Sequence, residues 1–199
     1  MMVPALLIVA AYLLGAVPFG LVIAKVFCGI DPRKAGSGNT GSTNVARLCG
    51  TPLGVLTLIC DAGKGAVPVS LALHQGLSPY WCGAVAFVAI VGHMYSFFLA
   101  FKGGKGVATS VGTMLPLAFV PLLIAGVACI LVIWRTGYVS AGSLTLITVL
   151  PIACAVLGRF ELLPLTLAVG LLVAWAHREN IKRLRRGEEK PWRKPKDAA

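Results

Sequence analysis

The chain has 199 residues, of which 57% are hydrophobic and only 13% are charged, and its mean hydropathy is +0.85. A soluble domain usually carries about 25% charged residues, and one core of this size cannot bury so much apolar surface. Disordered chains are poor in apolar residues, which excludes disorder. The formal charge of +11 is carried by a chain too rich in apolar residues for a simple nucleic-acid-binding domain, so we expect no nucleic-acid partner. The composition predicts an all-α polytopic membrane protein, in contact with membrane lipids, whose basic residues lie outside the bilayer.

Apolar segments that can cross a membrane follow one another along the chain. A membrane helix needs about 20 apolar residues. The candidate segments are 3–27, 52–73, 79–101, 107–134, 138–157 and 160–176. The segment 107–134 is too long for one crossing, and Pro116 and Pro121 divide it. We therefore expect a short or broken fourth helix that begins near Gly106 and turns near 116–121, so that hydropathy allows six or seven crossings.

The positions of the basic residues decide between six and seven crossings. Basic residues near membrane segments favour the cytoplasmic side. Seven crossings with the N-terminus outside place sixteen of the eighteen basic residues inside, with Lys64 in the membrane and Arg159 outside. Six crossings would put the basic tail opposite the basic loop 28–51. We therefore predict a single integral membrane domain, 1–199, with seven transmembrane helices, the N-terminus outside, the C-terminus inside, and a basic cytoplasmic tail, 178–199.

The first predicted cytoplasmic loop, 31–47, reads DPRKAGSGNTGSTNVAR and is rich in hydrogen-bond donors. Gly36, Gly38 and Gly41 match GxGxxG formally, but the dinucleotide fingerprint needs a preceding strand, and here a membrane helix precedes. Glycines still let backbone N–H groups converge on an anion, and the guanidinium of Arg47 suits phosphate. Further side-chain donors are those of Ser37, Asn39, Ser42, Thr43 and Asn44. A flexible connection between helices would not need so many donors, so we favour a phosphate-binding loop.

A pair of ionisable residues interrupts the segment 52–73. Asp61 and Lys64 are three residues apart, on one face of the predicted helix. Ionisable groups at membrane depth are costly and usually face a cavity or each other. Two interpretations stay open, a structural ion pair and a pair that organises the floor of a polar site.

A third cluster, 93–109, reads HMYSFFLAFKGGKGVAT. A Walker loop would have Gly where this chain has Leu99, and Ser or Thr where it has Gly106, so we exclude a P-loop. A glycine-rich turn that opens a helix still binds phosphate, because its N–H groups point at the ligand and the helix dipole favours anions. The alternative is that the lysines snorkel to the interface. The candidate residues are His93, Lys102, Gly103, Gly104, Lys105, Gly106 and Thr109.

The fourth cluster, 177–189, reads HRENIKRLRRGEE and follows the last apolar segment. His177 and Asn180 share a helical face, and Arg183 follows one turn later. The other basic residues of the tail fix the topology or contact anionic lipid. Loops on one membrane face thus offer several phosphate donors, which suits a substrate with an anionic head and an acyl tail.

These motifs together resemble the bacterial acyl-phosphate:glycerol-3-phosphate acyltransferases, integral membrane enzymes of phospholipid synthesis. The resemblance covers almost the whole chain and keeps the order of the family's motifs, although this chain has Ser96 where the family often has proline. The matching motifs are GSGNTGSTN at 36–44 with Arg47, Asp61 with Lys64-Gly65, GH at 92–93, FKGGKGVAT at 101–109 and HREN-IKRL at 177–184.

The resemblance implies transfer of a fatty acyl group from acyl phosphate to the 1-hydroxyl of glycerol 3-phosphate, giving lysophosphatidate and inorganic phosphate. It also implies seven helices, the bacterial inner membrane and an active site on the cytoplasmic face. We expect no cofactor and no metal. The enzyme that makes acyl phosphate is a further possible partner.

Acyl phosphate is an activated mixed anhydride, so positioning and charge stabilisation suffice without a covalent nucleophile. No histidine of this sequence has an aspartate five positions later, so the His-x4-Asp dyad of other glycerolipid acyltransferases is absent. The Gly-x-Ser-x-Gly nucleophile elbow does not occur either. We expect Lys105 or Arg47 to stabilise the departing phosphate. The proton of the attacking hydroxyl goes to a substrate phosphate oxygen, which we favour slightly, or to His177.

The expected catalytic residues are His177, Lys105, Arg47 and Asn180. The expected substrate-binding residues are Ser37, Gly38, Asn39, Gly41, Ser42, Thr43, Asn44, Asp61, Lys64, His93, Lys102, Gly103, Gly104, Gly106, Thr109 and Arg183.

Two other classes of membrane protein fit the sequence less well. An anion transporter needs a continuous polar path, but the predicted outer loops 75–78, 115–121 and 158–161 are short and nearly featureless. An alcohol phosphotransferase that works on nucleotide head groups uses several carboxylates to hold metal, and Asp61 is the one acid at membrane depth, since Glu161 lies in the predicted outer loop 158–161.

Overall fold

The computed structural model describes residues 2–192, over which the regular secondary structure is entirely helical. Part of the predicted tail, 193–199, lies outside the described residues. Two 3₁₀ turns, Phe97–Leu99 and Phe160–Leu162, accompany the α-helices. The α-helices of the described residues are α1 (Met2–Ala16), α2 (Phe19–Cys28), α3 (Ser42–Cys49), α4 (Thr51–His74), α5 (Pro79–Met94), α6 (Val107–Leu117), α7 (Phe119–Thr136), α8 (Val139–Val156), α9 (Leu163–Ala176) and α10 (Arg178–Arg186).

Five helical segments within residues 2–192 are long and apolar enough to cross a membrane: Met2–Cys28, α4, Pro79–Leu99, α7 and α8. A sixth results if α9 and α10, which are bent by 61°, count as one span. Helix α6 has 11 residues, or about 16 Å at 1.5 Å per residue, against a hydrocarbon core of about 30 Å. The all-α polytopic fold is confirmed at this level. The count of seven crossings and the orientation of the termini stay predictions.

The break expected within 107–134 lies at Ala118, between α6 and α7. A second break, at Val17–Pro18, separates α1 from α2 within the first apolar segment. Proline lacks the N–H that would continue the helical hydrogen bonds. At this break the carbonyl oxygen of Val17 accepts the N–H of Phe19 at 3.1 Å and Nζ of Lys64 at 2.8 Å.

The packing divides the chain into two compact units, a first up to Phe119 and a second from Val120 onward. In the first unit α4 is central and contacts α1, α2, α3, α5 and α6, while α1 packs along α5. Glycines bring these helices close: a Cβ on Gly15 would overlap the backbone of Ala89, and one on Gly112 would overlap that of Ala62. Small residues at such interfaces are typical of membrane helices.

In the second unit α8 packs against α9, and α10 contacts both helices. After α10 the chain reverses at Gly187, whose φ is +70°, and the N–H of Trp192 donates to the carbonyl oxygen of Gly137 at 2.9 Å. Large apolar side chains face outward along both units, among them Ile59, which is 62% exposed. Such surfaces suit contact with lipid. The single domain 1–199 stays a prediction.

Candidate functional site

The loop 31–41 is folded around one buried amide, that of Asn44, which lies in α3 and is 2% exposed. The N–H of Ser37 donates to Asn44 Oδ1 at 2.8 Å. Asn44 Nδ2 donates over 2.9–3.1 Å to the carbonyl oxygens of Pro32, Ala35 and Asn39. The amide therefore sets the shape of the loop.

Two glycines of this region are required by packing. At Gly36, whose φ is +64°, a Cβ would collide with Asn44 Oδ1. At Gly20 of α2, a Cβ would overlap the carbonyl oxygen of Thr40, so the end of the loop rests directly on α2. The glycine pattern that indicated anion binding thus also serves close packing.

The acidic residue of this loop, Asp31, is neutralised within the loop. The guanidinium of Arg33 approaches both carboxylate oxygens of Asp31, with Nε at 2.9 Å and Nη2 at 2.7 Å. This hydrogen-bonded pair holds the pKa of Asp31 well below its ordinary value and raises that of Arg33. The pair of Asp31 and Arg33 is neutral as a whole, and Lys34 and Arg47 leave the segment 31–47 with the net positive charge that an anion site needs.

The second loop, 102–106, turns into the N-terminus of α6 at Gly106, whose φ is +86°. The N–H groups of Gly103 and Gly104 donate to the carbonyl oxygens of Met94 and His93 at 3.0 and 3.2 Å. The N–H of Ser110 donates to Gly106 at 2.8 Å, so the N–H groups before it have no acceptor within the helix. An anion at this loop would therefore be bound by the start of α6 rather than by Gly103 and Gly104.

Beneath this loop lies a buried ionisable cluster formed by Asp61, Lys64 and His93, which are 2%, 3% and 7% exposed. Lys64 Nζ lies 2.8 Å from Asp61 Oδ1 and donates to the carbonyl oxygen of Val17 at 2.8 Å. His93 Nδ1 faces Asp61 Oδ1 at 3.7 Å, which is longer than a hydrogen bond. The structure thus confirms that Asp61 and Lys64 form an ion pair, and it adds His93 to it.

In the second unit a carboxylate organises the predicted polar residues. Glu189 Oε1 accepts hydrogen bonds from Asn180 Nδ2 at 2.7 Å and from Ser140 Oγ at 2.9 Å, and its Oε2 accepts one from Arg183 Nε at 2.8 Å. Burial raises the pKa of Glu189, but these hydrogen bonds outweigh burial and leave the pKa below its ordinary value. His177 is 3% exposed, and its Nδ1 lies 2.8 Å from the carbonyl oxygen of Val173. Because a carbonyl only accepts, Nδ1 carries the proton, and in a neutral ring Nε2 is the basic nitrogen.

The predicted site residues differ widely in exposure. In the first unit Ser37, Gly38, Arg47 and Lys102 are exposed. Half-buried residues there are Asn39, Gly41, Ser42, Thr43, Gly103, Gly104 and Lys105. Buried residues there are Asn44, Asp61, Lys64, His93, Gly106 and Thr109. In the second unit His177 and Asn180 are buried and Arg183 is half-buried. The roles assigned to all of these residues stay predictions.

Sequence reasoning missed the partners of these residues. Glu189 is one of several acidic residues in a tail that also carries many basic ones, so its sequence position did not mark it as a partner. Ser140 lies in an apolar segment, and no pattern around it indicated a polar contact. Ser96, where the family often has proline, donates through Oγ to the carbonyl oxygen of Ala16. Within the described residues, no three His, Cys, Asp or Glu side chains come together as a metal site.

Comparison with known proteins identifies the family. The family model described as glycerol-3-phosphate acyltransferase matches residues 5–187. A curated glycerol-3-phosphate acyltransferase of Nitratidesulfovibrio vulgaris is 60% identical over 184 residues, which are 92% of this chain but 56% of that protein. One of Desulfovibrio desulfuricans is 58% identical over 98% of this chain and 88% of its own length.

Solved structures agree with these relatives. Crystal structures of PlsY, an integral membrane glycerol 3-phosphate acyltransferase, superimpose with TM-scores of 0.91 for the glycerol 3-phosphate form and 0.89 for the lysophosphatidic acid form. Both are 36% identical to this chain and match over 94% of each chain. The match over most of the sequence and the shared fold lead to one conclusion: this chain belongs to the glycerol-3-phosphate acyltransferase family.

Proposed function

We propose that this chain transfers a fatty acyl group from acyl phosphate to the 1-hydroxyl of glycerol 3-phosphate. The hydroxyl oxygen attacks the acyl carbonyl carbon, an ester bond forms, and the bond between the acyl carbon and the phosphate oxygen breaks. The products are lysophosphatidate and inorganic phosphate, and the reaction is the first acylation of phospholipid synthesis. The observation that carries the proposal is the glycine-rich loop 102–106, with a lysine at 102 and at 105, at the N-terminus of α6 in a member of this family.

The first unit supplies the phosphate-binding groups of the proposal. The start of α6 offers backbone N–H groups and the positive end of a helix dipole. Lys105 and Arg47 supply the cationic groups that stabilise the departing phosphate, since charge that develops during the reaction is where fixed cations contribute most. Ser37 and Gly38 are exposed, and the proposal assigns them further contacts with phosphate.

The proposal assigns separate roles to His177 and Asn180. Asn180 is held by Glu189, and its role is to orient substrate oxygens. His177 Nε2 is one candidate base for the proton of the hydroxyl, and a substrate phosphate oxygen is the other. We favour the phosphate oxygen, because the reaction needs only a modest base when the leaving group is good.

Radiolabelled glycerol 3-phosphate and palmitoyl phosphate, mixed with purified protein in detergent without acyl-CoA, test the proposal. We expect labelled lysophosphatidate from the wild type. Arg47→Ala and Lys105→Ala should each reduce turnover at least about 100-fold, the range found for lost electrostatic stabilisation. The exposed cation Lys182, which pairs with Glu179 at 3.1 Å, provides the matched control, and Lys182→Ala should leave turnover unchanged. No lipid product would contradict the activity, and product with acyl-CoA alone would contradict the donor.

The variant His177→Ala decides between the two bases. If a substrate phosphate takes the proton, kcat stays near that of the wild type and only KM rises, because the ring then contributes binding alone. A loss of kcat of about 100-fold or more would assign the base to His177.

The proposal also includes a location and a supplier. The active site faces the cytoplasm at the bacterial inner membrane, because the motifs carry the basic residues that favour that side. Acyl phosphate is a reactive anhydride, so another enzyme must make it, and that enzyme is a candidate partner.

A further inference from the structure

The buried cluster of Asp61, Lys64 and His93 continues directly into the loop 102–106. The carbonyl oxygen of His93 accepts the N–H of Gly104, and a Cβ built on Gly104 would collide with Nε2 of the His93 ring. The backbone of the loop at Gly104 thus packs directly against the ring of His93. A Cβ on Gly103 would instead collide with the main-chain oxygen of His93.

The opposite side of the same ring faces the ion pair. His93 Nδ1 faces Asp61 at 3.7 Å, Asp61 pairs with Lys64, and Lys64 donates to Val17 at the break between α1 and α2. A row of neighbouring polar groups therefore runs from that break, through α4 and α5, to the loop, and its longest step is the 3.7 Å from Asp61 to His93. Buried ionisable groups at membrane depth are costly, so a fold retains them where they serve a purpose besides packing.

The size of the space around the cluster argues against direct contact with substrate. The pocket lined by Asp61, Lys64, His93, Thr40 and Ser96 has a volume of about 10 Å³. A volume of this size holds about one water molecule, which is too little for a glycerol phosphate. The three side chains therefore act on the reaction through the loop that they support.

We infer that Asp61, Lys64 and His93 are positioning residues: the ion pair orients the His93 ring, and the ring holds the backbone of 102–106 so that the start of α6 and Lys105 face phosphate. This inference rests on the proposed function for the identity of the ligand. It replaces direct substrate binding as the role of these three residues. A displacement of about 1 Å in a phosphate-binding group costs about 100-fold in rate.

A pair of double-mutant comparisons tests the contact between ring and loop. Gly104→Ala should lower kcat/KM for glycerol 3-phosphate about 100-fold, because the new methyl group collides with the ring. In the background of His93→Ala the methyl group occupies the space of the ring, so His93→Ala with Gly104→Ala should be more active than Gly104→Ala alone. Gly103→Ala is the matched control: its obstacle is a main-chain oxygen, so adding His93→Ala should bring no relief. Equal relief in both pairs, or none in either, would overturn the inference.

Limited proteolysis tests the inference without any assay of transfer. Trypsin cleaves after Lys102 and Lys105, and the initial rates follow from mass spectrometry of the detergent-solubilised protein. We expect faster cleavage at both sites in His93→Ala and in the double variant Asp61→Leu with Lys64→Met. In the double variant the melting temperature should stay unchanged, because well-packed apolar residues can replace a buried ion pair without loss of stability. His74→Gln changes an exposed histidine at the far end of α4 and should cleave like the wild type.

The outcomes separate the two proposals. Unchanged cleavage in His93→Ala would overturn the positioning role whether or not the protein makes lysophosphatidate. Faster cleavage in a protein whose wild type makes no lysophosphatidate would uphold the positioning role and contradict the proposed function. If the Asp61 and Lys64 double variant does not fold, His93→Ala and its cycle with Gly104→Ala still decide the question.

Discussion

At the scale of single residues, the type of a side chain predicted its chemistry but not its partner. Asn44 stood at the end of nine consecutive polar or glycine residues, 36–44, in a loop rich in donors, and its amide suited a phosphate. In the structure that amide is 2% exposed and hydrogen-bonds the backbone of its own loop. Sequence spacing does not reveal whether a donor faces a ligand or a neighbouring carbonyl, because both satisfy it equally well.

The variant Asn44→Asp tests this local role. The carboxylate keeps the acceptor for the N–H of Ser37 but removes the donors, and it places negative charge against three carbonyl oxygens. Leaving buried polar groups unsatisfied costs about 1–3 kcal/mol, so we expect a lower free energy of unfolding in detergent. Asn39→Asp is the matched control, because Asn39 uses only its oxygen, which accepts the N–H of Gly41. Equal destabilisation by both variants would contradict the role of Asn44.

Glu189 gives a prediction with a pH dependence. Burial raises the pKa of Glu189, and the hydrogen bonds from Arg183, Asn180 and Ser140 lower it further than burial raises it, so the folded pKa lies below the unfolded one. Such a carboxylate stabilises the fold fully at pH values above the unfolded pKa, near 4.3. The contribution decreases as the pH falls below that value and is lost as the pH falls through the lower folded pKa.

The melting temperatures of the wild type and of Glu189→Gln should therefore differ most at pH 7 and converge below about pH 4.3. Glu188→Gln changes the exposed neighbour and controls for the general effect of acid. A difference that grows as the pH falls would show that the sign of the pKa shift is wrong.

At the scale of helices, hydropathy located the apolar segments but not their ends. The predicted span 79–101 is one candidate span as far as Leu99, but within it α5 ends at Met94 and a 3₁₀ turn follows. Ala100 and Phe101 then adopt positive φ values of 48° and 62°, which non-glycine residues rarely adopt. The turn is as apolar as the helix before it, so composition could not separate them. The tertiary contact that fixes it, from Ser96 to Ala16, joins residues 80 positions apart.

The close contact between α4 and α6 predicts opposite effects for two similar substitutions. A Cβ on Gly112 of α6 would overlap the backbone of Ala62, whereas one on Gly63 of α4 would meet open space. We expect Gly112→Ala to destabilise the protein by about 1–3 kcal/mol through overpacking. Gly63→Ala should stabilise it by about 0.5–1 kcal/mol, because alanine is the better helix former. Unfolding in detergent measures both, and similar values for the two variants would contradict the packing of α6 on α4.

At the scale of the whole molecule, composition and the order of motifs were enough to predict an all-helical membrane acyltransferase. Five short motifs spread over 149 residues, from 36 to 184, carry more information together than any one does alone. The number of crossings was harder, because the apolar helix α6 is only 11 residues long and hydropathy does not show whether so short a helix reaches the other side. The distribution of basic residues is independent of helix length and therefore argues separately for seven crossings.

Two single cysteines test the crossing of α6 directly. Gln75 and Arg185 are exposed, and five predicted crossings separate them, so in a cysteine-free background Gln75→Cys and Arg185→Cys should lie on opposite sides of the membrane. A membrane-impermeant maleimide should label Gln75→Cys in intact cells and Arg185→Cys only after permeabilisation. If α6 enters and leaves on one side, four crossings separate the two positions and both are labelled alike. Such a result would place the basic tail outside together with 75–78, against the charge rule, and would remove the main argument for seven crossings.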